Sequence, residues 1–224
     1  MNIYIVIPTF NEESHIKNVL KDVAKHKLPI IVVDDGSTDA TADILSPSAI
    51  HNSQITTLTH RVNLGKGAAM KTGVEAAFSQ GADAVIFMDS DGQHKASDLP
   101  KFIKTIERGK YGIIFGSRVL THGVPLVRFL GNKFASILIS VLFGIYISDL
   151  ICGYRAITSK AYEKLKWESA GYAVETEMVI KTAKFGIKYC EVPVETVYLD
   201  NVKGVTILDA INIFVNVIAW RIKL

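Results

Sequence analysis

Ala84-Val-Ile-Phe-Met-Asp-Ser-Asp-Gly-Gln-His94 is the stretch on which the fold turns. Its first five residues are apolar without alternation, the pattern of a strand covered on both faces. It then presents two carboxylates one residue apart. Such a strand delivers Asp89 and Asp91 to the carboxyl edge of an open parallel sheet, where α/β folds bind their ligands. Asp, Ser and Gly are also ordinary turn formers, so an isolated acidic turn carries little weight.

The neighbourhood repeats the pattern. Ile30-Ile-Val-Val-Asp-Asp-Gly-Ser-Thr-Asp39 is a second apolar strand ending in acids, Asp34 and Asp35. Strand-like runs at 3–7, 30–33, 55–59 and 84–88 alternate with helical patterns at 12–26, 38–46 and 67–80, the rhythm of βαβ units. Further on, helices are expected at 96–108 and 174–184 and strands at 112–115 and 188–196. The expected class is α/β, a single Rossmann-like, mostly parallel sheet flanked by helices. A chain of 224 residues suffices for one such domain. Residues 1–204 form its body, and 205–224 an amphipathic helix on which Asp209, Asn212 and Asn216 share one face.

Composition narrows the function. Hydrophobic residues make up 49% of the chain and the mean hydropathy is +0.25, with the excess gathered at 134–151 and 205–222. The apolar run from Phe134 to Ile147 is 14 residues long, short of the roughly 20 needed to cross a bilayer. A buried or interfacial helix is expected there, meeting lipid or a second copy in a homo-oligomer. Twenty-five Lys and Arg against 22 Asp and Glu leave +3. That excludes the clustered cations of nucleic-acid binding but suits an anionic membrane surface or phosphorylated substrates. Cys152 and Cys190 lack ligand or CxxC spacing and read as reduced core thiols. No secretory leader precedes Ile3, so the expected location is cytoplasmic, peripheral at the membrane's cytoplasmic face.

Two acidic strand ends on one rim repel each other unless cations or hydrogen-bond donors relieve them. At Asp89 and Asp91 the expected relief is Mg2+ or Mn2+, which combine carboxylates with phosphate oxygens and water, Gln93 or His94 completing the shell. Asp34 or Asp35 is expected to contact a base or ribose. Ser37, Thr38 and Asp39 are also suited to capping the next helix. Asn63-Leu-Gly-Lys-Gly-Ala68 is a glycine-rich helix start whose Lys66 suits an anionic donor, though it lacks full P-loop spacing.

Taken jointly, Val6-Ile-Pro-Thr-Phe-Asn-Glu12, Val32-Val-Asp-Asp-Gly-Ser-Thr-Asp39, Asn63-Leu-Gly-Lys-Gly67, Asp89-Ser-Asp-Gly-Gln-His94, Gly116-Ser-Arg118 and Asp149-Leu-Ile-Cys-Gly-Tyr-Arg155 resemble family 2 glycosyltransferases. The resemblance is strongest to the dolichyl-phosphate mannose synthase and polyprenyl-phosphate branch, and it spans about residues 1–200. It implies a GT-A fold, a nucleotide-diphosphate-sugar donor, Mg2+ or Mn2+, and transfer with inversion to a polyprenyl phosphate. It also implies that Pro8, Phe10, Glu12 and Asp35 contact the nucleoside and that Asp89, Asp91 and Gln93 surround the metal and diphosphate. Arg118 and Arg128 would meet the acceptor phosphate, for which arginine's planar fork is well shaped. The donor-side set is then Pro8, Phe10, Glu12, Asp34, Asp35, Lys66, Asp89 and Ser90, and the catalytic set Asp91, Arg118 and Arg128.

One departure stands out. Relatives often carry an arginine near a Gly-x-Ser sequence after the last strand, where this chain has Lys203-Gly-Val-Thr206, in the loop expected to close over the donor. The transmembrane helices that some relatives append are not expected here. Transfer to a saccharide hydroxyl, the nearest alternative, needs a general base, for which Asp149, Glu175 and Glu177 are candidates with none assigned. A polyprenyl phosphate arrives ionised and needs positioning instead. A sugar-phosphate nucleotidyltransferase would open with a glycine-rich loop where Pro8-Thr-Phe-Asn-Glu12 stands, and a non-catalytic nucleotide-sugar binder would have little use for both acidic edges.

Overall fold

The computed structural model describes residues 1–46, 48, 49, 52–118, 126–195 and 207–223, with the side chains of 126–129, 207–212 and 223 outside the description. Its strands are β1 (Ile3–Thr9), β2 (Ile30–Asp34), β3 (Ile55–Thr59), β4 (Ala84–Phe87), β5 (Ile113–Arg118), β6 (Arg155–Thr158) and β7 (Tyr189–Val194). Its helices are α1 (Ile16–Val23), α2 (Thr41–Ile44), α3 (Lys66–Ser79), α4 (Leu99–Glu107), α5 (Leu126–Phe143), α6 (Ser159–Leu165), α7 (Val174–Lys184) and α8 (Ile207–Lys223).

The strands form one sheet in the order β3-β2-β1-β4-β6-β5-β7. Only β6 among them runs against its neighbours. Alternate residues of the apolar strands feed two cores, one on each face, as the two-residue period requires. Val6, Ile31, Val33, Val85 and Phe87 pack against α3, α6 and α7, while Ile5, Ile7, Ile30, Val32 and Ile86 pack against α1 and α4. Both cysteines are free, Cys152 buried and Cys190 half-buried.

Most strands and central helices lie within two residues of expectation; β5 runs three residues past its expected end, to Arg118, the helix expected at 96–108 opens as a 3-10 turn before α4 starts at Leu99, and larger differences occur at four places. The first helix starts at Ile16 rather than residue 12, because Glu12 to His15 form a turn. The second is cut to Thr41–Ile44, since residues 37–39 are spent on loop contacts. Strand β6 and helix α6 escape the reading altogether; β6 is four residues long and begins on a buried arginine, which masks its apolar signal. The long apolar helix α5 begins at Leu126 and stops at Gly144, whose φ of 71° ends it, and Ile145 and Ile147 turn back into the core. None of the described helices is long and apolar enough to cross a membrane.

Helices α5 and α8 pack against each other. Leu130, Phe134, Ile137 and Val141 of α5, spaced as one helical stripe, are exposed, as are Phe214, Val215, Ile218 and Ile222 of α8. Asn216 is half-buried, while the side chains of Asp209 and Asn212 lie outside the described residues.

Candidate active site

Both acidic pairs sit at the carboxyl ends of parallel strands, β2 and β4, with β1 between them. Two strand spacings separate them by roughly 10 Å. The pairs differ in how the protein answers their charge.

At β2 the answer is internal. Asp35 is buried; its Oδ2 accepts the Gly65 N–H at 2.7 Å and its Oδ1 the Leu64 N–H at 3.0 Å. His60 Nδ1 lies 2.7 Å from the same Oδ1, and His60 Nε2 lies 2.9 Å from Thr72 Oγ1. An ionised carboxylate only accepts, so Nδ1 carries the ring proton. Asp34 Oδ1 accepts the Ser37 N–H at 3.0 Å. Asp35 thus fixes the start of α3, where Gly65 takes a φ of 99° and a Cβ would come 2.6 Å from the Ala170 carbonyl oxygen. Ser37, Thr38 and Asp39 bind the loop after β2 to the loop after β1 through Asn11 and Glu13. Asp39 also accepts the Thr41 N–H at 3.0 Å, a local turn contact just before α2, whose cap position is Ala40 and carries no side-chain cap, so the capping expected of residues 37–39 is not made.

At β4 the answer is a single ammonium. Lys66 Nζ, from the first residue of α3, lies 2.8 Å from Asp89 Oδ1 and 2.8 Å from Glu175 Oε1. Ser90 turns inward, its hydroxyl donating to the Pro8 carbonyl at 3.0 Å and tying the acidic loop to β1. Asp91 accepts the N–H of Gln93 at 2.9 Å, and the Gln93 side chain is half-buried in the same loop. His94, the alternative to Gln93 in the metal shell, is instead a buttress. Its Nδ1 accepts the Asp89 N–H at 3.1 Å, and its ring stacks on Tyr154 at 4.9 Å. Burial depresses its pKa, although Asp89 and Asp91 work against it.

The electrostatics are lopsided. Burial opposes ionisation of Asp89, but Lys66 outweighs it, with His94 and Arg118, and draws the pKa down to about 2. Asp91 is held above the usual carboxylate range, by burial first and by Asp89 next to it. Burial works against the Lys66 ammonium too, yet Asp89 and Glu175 hold its pKa above the usual lysine range. Two hard oxygen donors one residue apart, one of them short of positive charge, fit Mg2+ or Mn2+ better than a softer metal.

A third element approaches from the loop before β6. Arg155 is buried and donates from Nε to the Cys152 carbonyl at 2.8 Å, from Nη1 to the Glu175 carbonyl at 2.6 Å and from Nη2 to the Leu150 carbonyl at 2.6 Å. It thereby fixes Gly153 under Asp89, so closely that a Cβ there would lie 2.4 Å from Asp89 Oδ2. Its hold on the start of α7 also sets Glu175 beside Lys66. Arg155 was visible only as part of a motif, and nothing in the sequence marks His60. Single residues that act through backbone contacts leave no spacing signal.

On the other side of the edge, Arg118 ends β5 and grips Asp149 with a fork, Nε to Oδ2 at 2.6 Å and Nη2 to Oδ1 at 2.8 Å. Asn132 of α5 donates to the same carboxylate at 3.0 Å and accepts the Leu150 N–H at 3.1 Å. Glu177 is equally committed, accepting the N–H groups of Glu168 and Ser169 at 2.9 and 2.8 Å and meeting Lys181 at 2.8 Å. Phe10 is 41% exposed just beyond β1, while Glu12 is buried with Oε2 3.1 Å from His15 Nδ1. The Arg128 side chain and the loop 203–206 lie outside the described residues.

Residues 4–166 match the family model described as Glycosyl transferase family 2. The chain is 31% identical over 233 residues to the UDP-N-acetylglucosamine–dolichyl-phosphate N-acetylglucosaminyltransferase of Methanococcus voltae, covering 95% of this chain and 93% of that one. It is 28% identical over 233 residues to the polyprenol monophosphomannose synthase of Mycolicibacterium smegmatis, covering 98% and 86%. Among solved structures, glucosyl-3-phosphoglycerate synthase from Mycobacterium tuberculosis, in complex with Mn2+, uridine-diphosphate-glucose and phosphoglyceric acid, superposes with a TM-score of 0.72 at 19% identity over 98% of this chain and 79% of that one. The sheet order is therefore that of the GT-A fold implied by the motifs. With well over half of its length inside the family match, the chain belongs to glycosyl transferase family 2.

Proposed function

We propose that the protein moves a sugar from a nucleotide-diphosphate sugar to a polyprenyl phosphate at a membrane surface, with Asp89, Asp91 and Gln93 holding Mg2+ or Mn2+. The observation that carries this reading is the chain of contacts from Arg118 through Asp149 to Asn132 of α5. It joins a phosphate-reading side chain to the helix that exposes Leu130, Phe134, Ile137 and Val141. An acceptor with a phosphate head and an apolar tail matches both ends of that connection. Helix α8, which packs against α5, exposes Phe214, Val215, Ile218 and Ile222 as well, and exposed apolar patches mark membrane or partner contacts.

The commitments of the three candidate bases favour the same acceptor. Asp149 is forked by Arg118, Glu175 is paired with Lys66, and Glu177 caps a loop and meets Lys181. A saccharide hydroxyl would have to be deprotonated by one of them, whereas an ionised phosphate needs only to be aimed. Arg118, with Arg128 from the start of α5, holds the phosphate in line for attack on the anomeric carbon. On the donor side, Pro8, Phe10, Glu12 and Asp34 border the nucleoside, and Asp35 shapes the pocket through the α3 start that it holds. When bound, the divalent cation neutralises charge on the departing nucleoside diphosphate. The two relatives named above transfer sugars to lipid phosphates by name, which supports the reading.

The test is a donor screen with labelled nucleotide sugars, membrane lipid extract and Mn2+ or Mg2+, comparing the native protein with Asp91→Ala. Label is expected in a lipid-soluble product, lost with a chelator and in the variant. Water-soluble saccharide product without any lipid-soluble product would overturn the acceptor; undiminished turnover in Asp91→Ala would overturn the metal role.

A further inference from the structure

Lys66 holds a place that the donor-binding reading does not explain. Its ammonium does not face open solution at the helix start; it lies midway between two carboxylates from different elements, Asp89 at the end of β4 and Glu175 in the first turn of α7, at 2.8 Å from each. Glu175 is 4% exposed, and its second oxygen, Oε2, is buried without a hydrogen-bond partner. A buried carboxylate oxygen left unpaired is costly. Its neighbour Arg155 spends its donors on carbonyls, including that of Glu175, and leaves the carboxylate to Lys66.

We propose that Lys66 is an exchangeable internal counter-ion: it neutralises Asp89 while the site lacks a divalent cation, and gives Asp89 up when the cation arrives, falling back on Glu175. This inference rests on the reading of Asp89 and Asp91 as the cation's ligands. Three features support the exchange. Lys66 reaches Asp89 but has no hydrogen bond to Asp91 among the described residues, so the pair keeps an unmet attraction for a divalent ion. Glu175 supplies a second acceptor within reach, so releasing Asp89 does not strand the ammonium. The vacant Oε2 gives Glu175 room to take a second N–H when the ammonium turns fully toward it. Lys66 is then a positioning residue that competes with the cation, and Glu175 sets the strength of the competition by drawing Lys66 away.

The two residues therefore make opposite predictions. Removing the competitor tightens cation binding, and removing the residue that draws it away weakens cation binding. The measurement is calorimetric titration of the donor-free protein with Mn2+ alone at pH 8, for the native chain, Lys66→Met, Glu175→Gln and Asp91→Asn. Lys66→Met is expected to bind Mn2+ roughly tenfold more tightly, on the scale of one charge-assisted hydrogen bond no longer in competition. Glu175→Gln is expected to bind it about threefold to tenfold more weakly on the same scale. Unchanged or weaker binding by Lys66→Met, or tighter binding by Glu175→Gln, overturns the exchange, since a lysine that merely braced Asp89 would weaken binding when lost. If Lys66→Met fails to fold, Lys66→Gln takes its place, with tighter Mn2+ binding expected and unchanged or weaker binding overturning the exchange. Native binding of Mn2+ that is absent, or that Asp91→Asn leaves intact, instead overturns the metal reading beneath it.

Discussion

The carboxyl ends of β2 and β4 carry the same kind of sequence, an apolar strand followed by closely spaced aspartates, yet the structure uses them in opposite ways. Asp35 is surrounded by donors that belong to the protein, two backbone N–H groups and the His60 ring. Asp89 has one lysine, which Glu175 also claims and which makes no hydrogen bond to Asp91 among the described residues, and Asp91 is left with its pKa raised. Within the first pair, Asp35 is a solved electrostatic problem and acts as a brace. At the second, one ammonium serves Asp89 and Glu175 and leaves Asp91 aside, which is why a divalent cation is proposed there. Repulsion at an acidic edge identifies a binding site only where the protein has not already supplied the donors.

The largest effect that separates the two edges is on turnover. Asp91→Asn keeps the side-chain volume and removes the charge that a divalent cation needs. Transfer should fall by about a thousandfold, or roughly 4 kcal/mol of barrier, while circular dichroism and melting stay close to native. Asp35→Asn should show the reverse ranking, with stability hit first. One of its two side-chain atoms becomes an N–H donor pointed at another donor, and the half-buried His60 loses its charged partner. A loss of about 3 kcal/mol in urea unfolding is expected. An Asp35→Asn protein as stable as native but inactive would erase the distinction and make Asp35 a binding residue like Asp91.

Gly153→Ala tests the geometry of the β4 edge without touching a charge. The added methyl would meet the Asp89 carboxylate from below and turn it away from its place beside Lys66. Turnover should drop about tenfold, on the scale of a misplaced ligand, with a higher cation requirement. The control is Gly131→Ala on α5, where a Cβ meets nothing within 4 Å, and turnover should hardly change.

Most of this contrast was out of reach of the sequence, for identifiable reasons. The alternation of apolar strands with helices, and the placement of both acidic edges on one rim, follow from periodicity, and the sheet bears them out. What periodicity does not convey is who faces whom. Asp35 looks equivalent to Asp89 until His60, 25 residues away, and the N–H groups of the α3 start close around it. Lys66 reads as a free cation at a helix start until Glu175, from a helix more than a hundred residues later, is seen to share it. Strand β6 is missed for a related reason, since Arg155 opens it with a charge whose three carbonyl partners are all non-local or in loops. Motif order names the site; long-range pairing decides which of its residues bind and which brace.

The smallest effect is the most direct reading of the imbalance itself, because it concerns the protein without cation or donor. Asp91 is held above its ordinary pKa by burial and by Asp89. A carboxyl whose folded-state pKa is raised favours folding when protonated, so its contribution to stability is present at low pH and is lost as pH rises through the folded value. At neutral pH, with a chelator present, Asp91→Asn should therefore melt slightly above the native protein, by at most a few degrees for a chain of this size. The gain should shrink as the pH falls through the raised folded value and be gone near the ordinary aspartate value of about 4, below which Asp91 is protonated in both states. Saturating Mn2+ should reverse the order, because the native carboxylate then gains a partner that the asparagine holds poorly. Equal melting of the two proteins at neutral pH with chelator would mean that Asp91 is already compensated, and that the two acidic edges are alike after all.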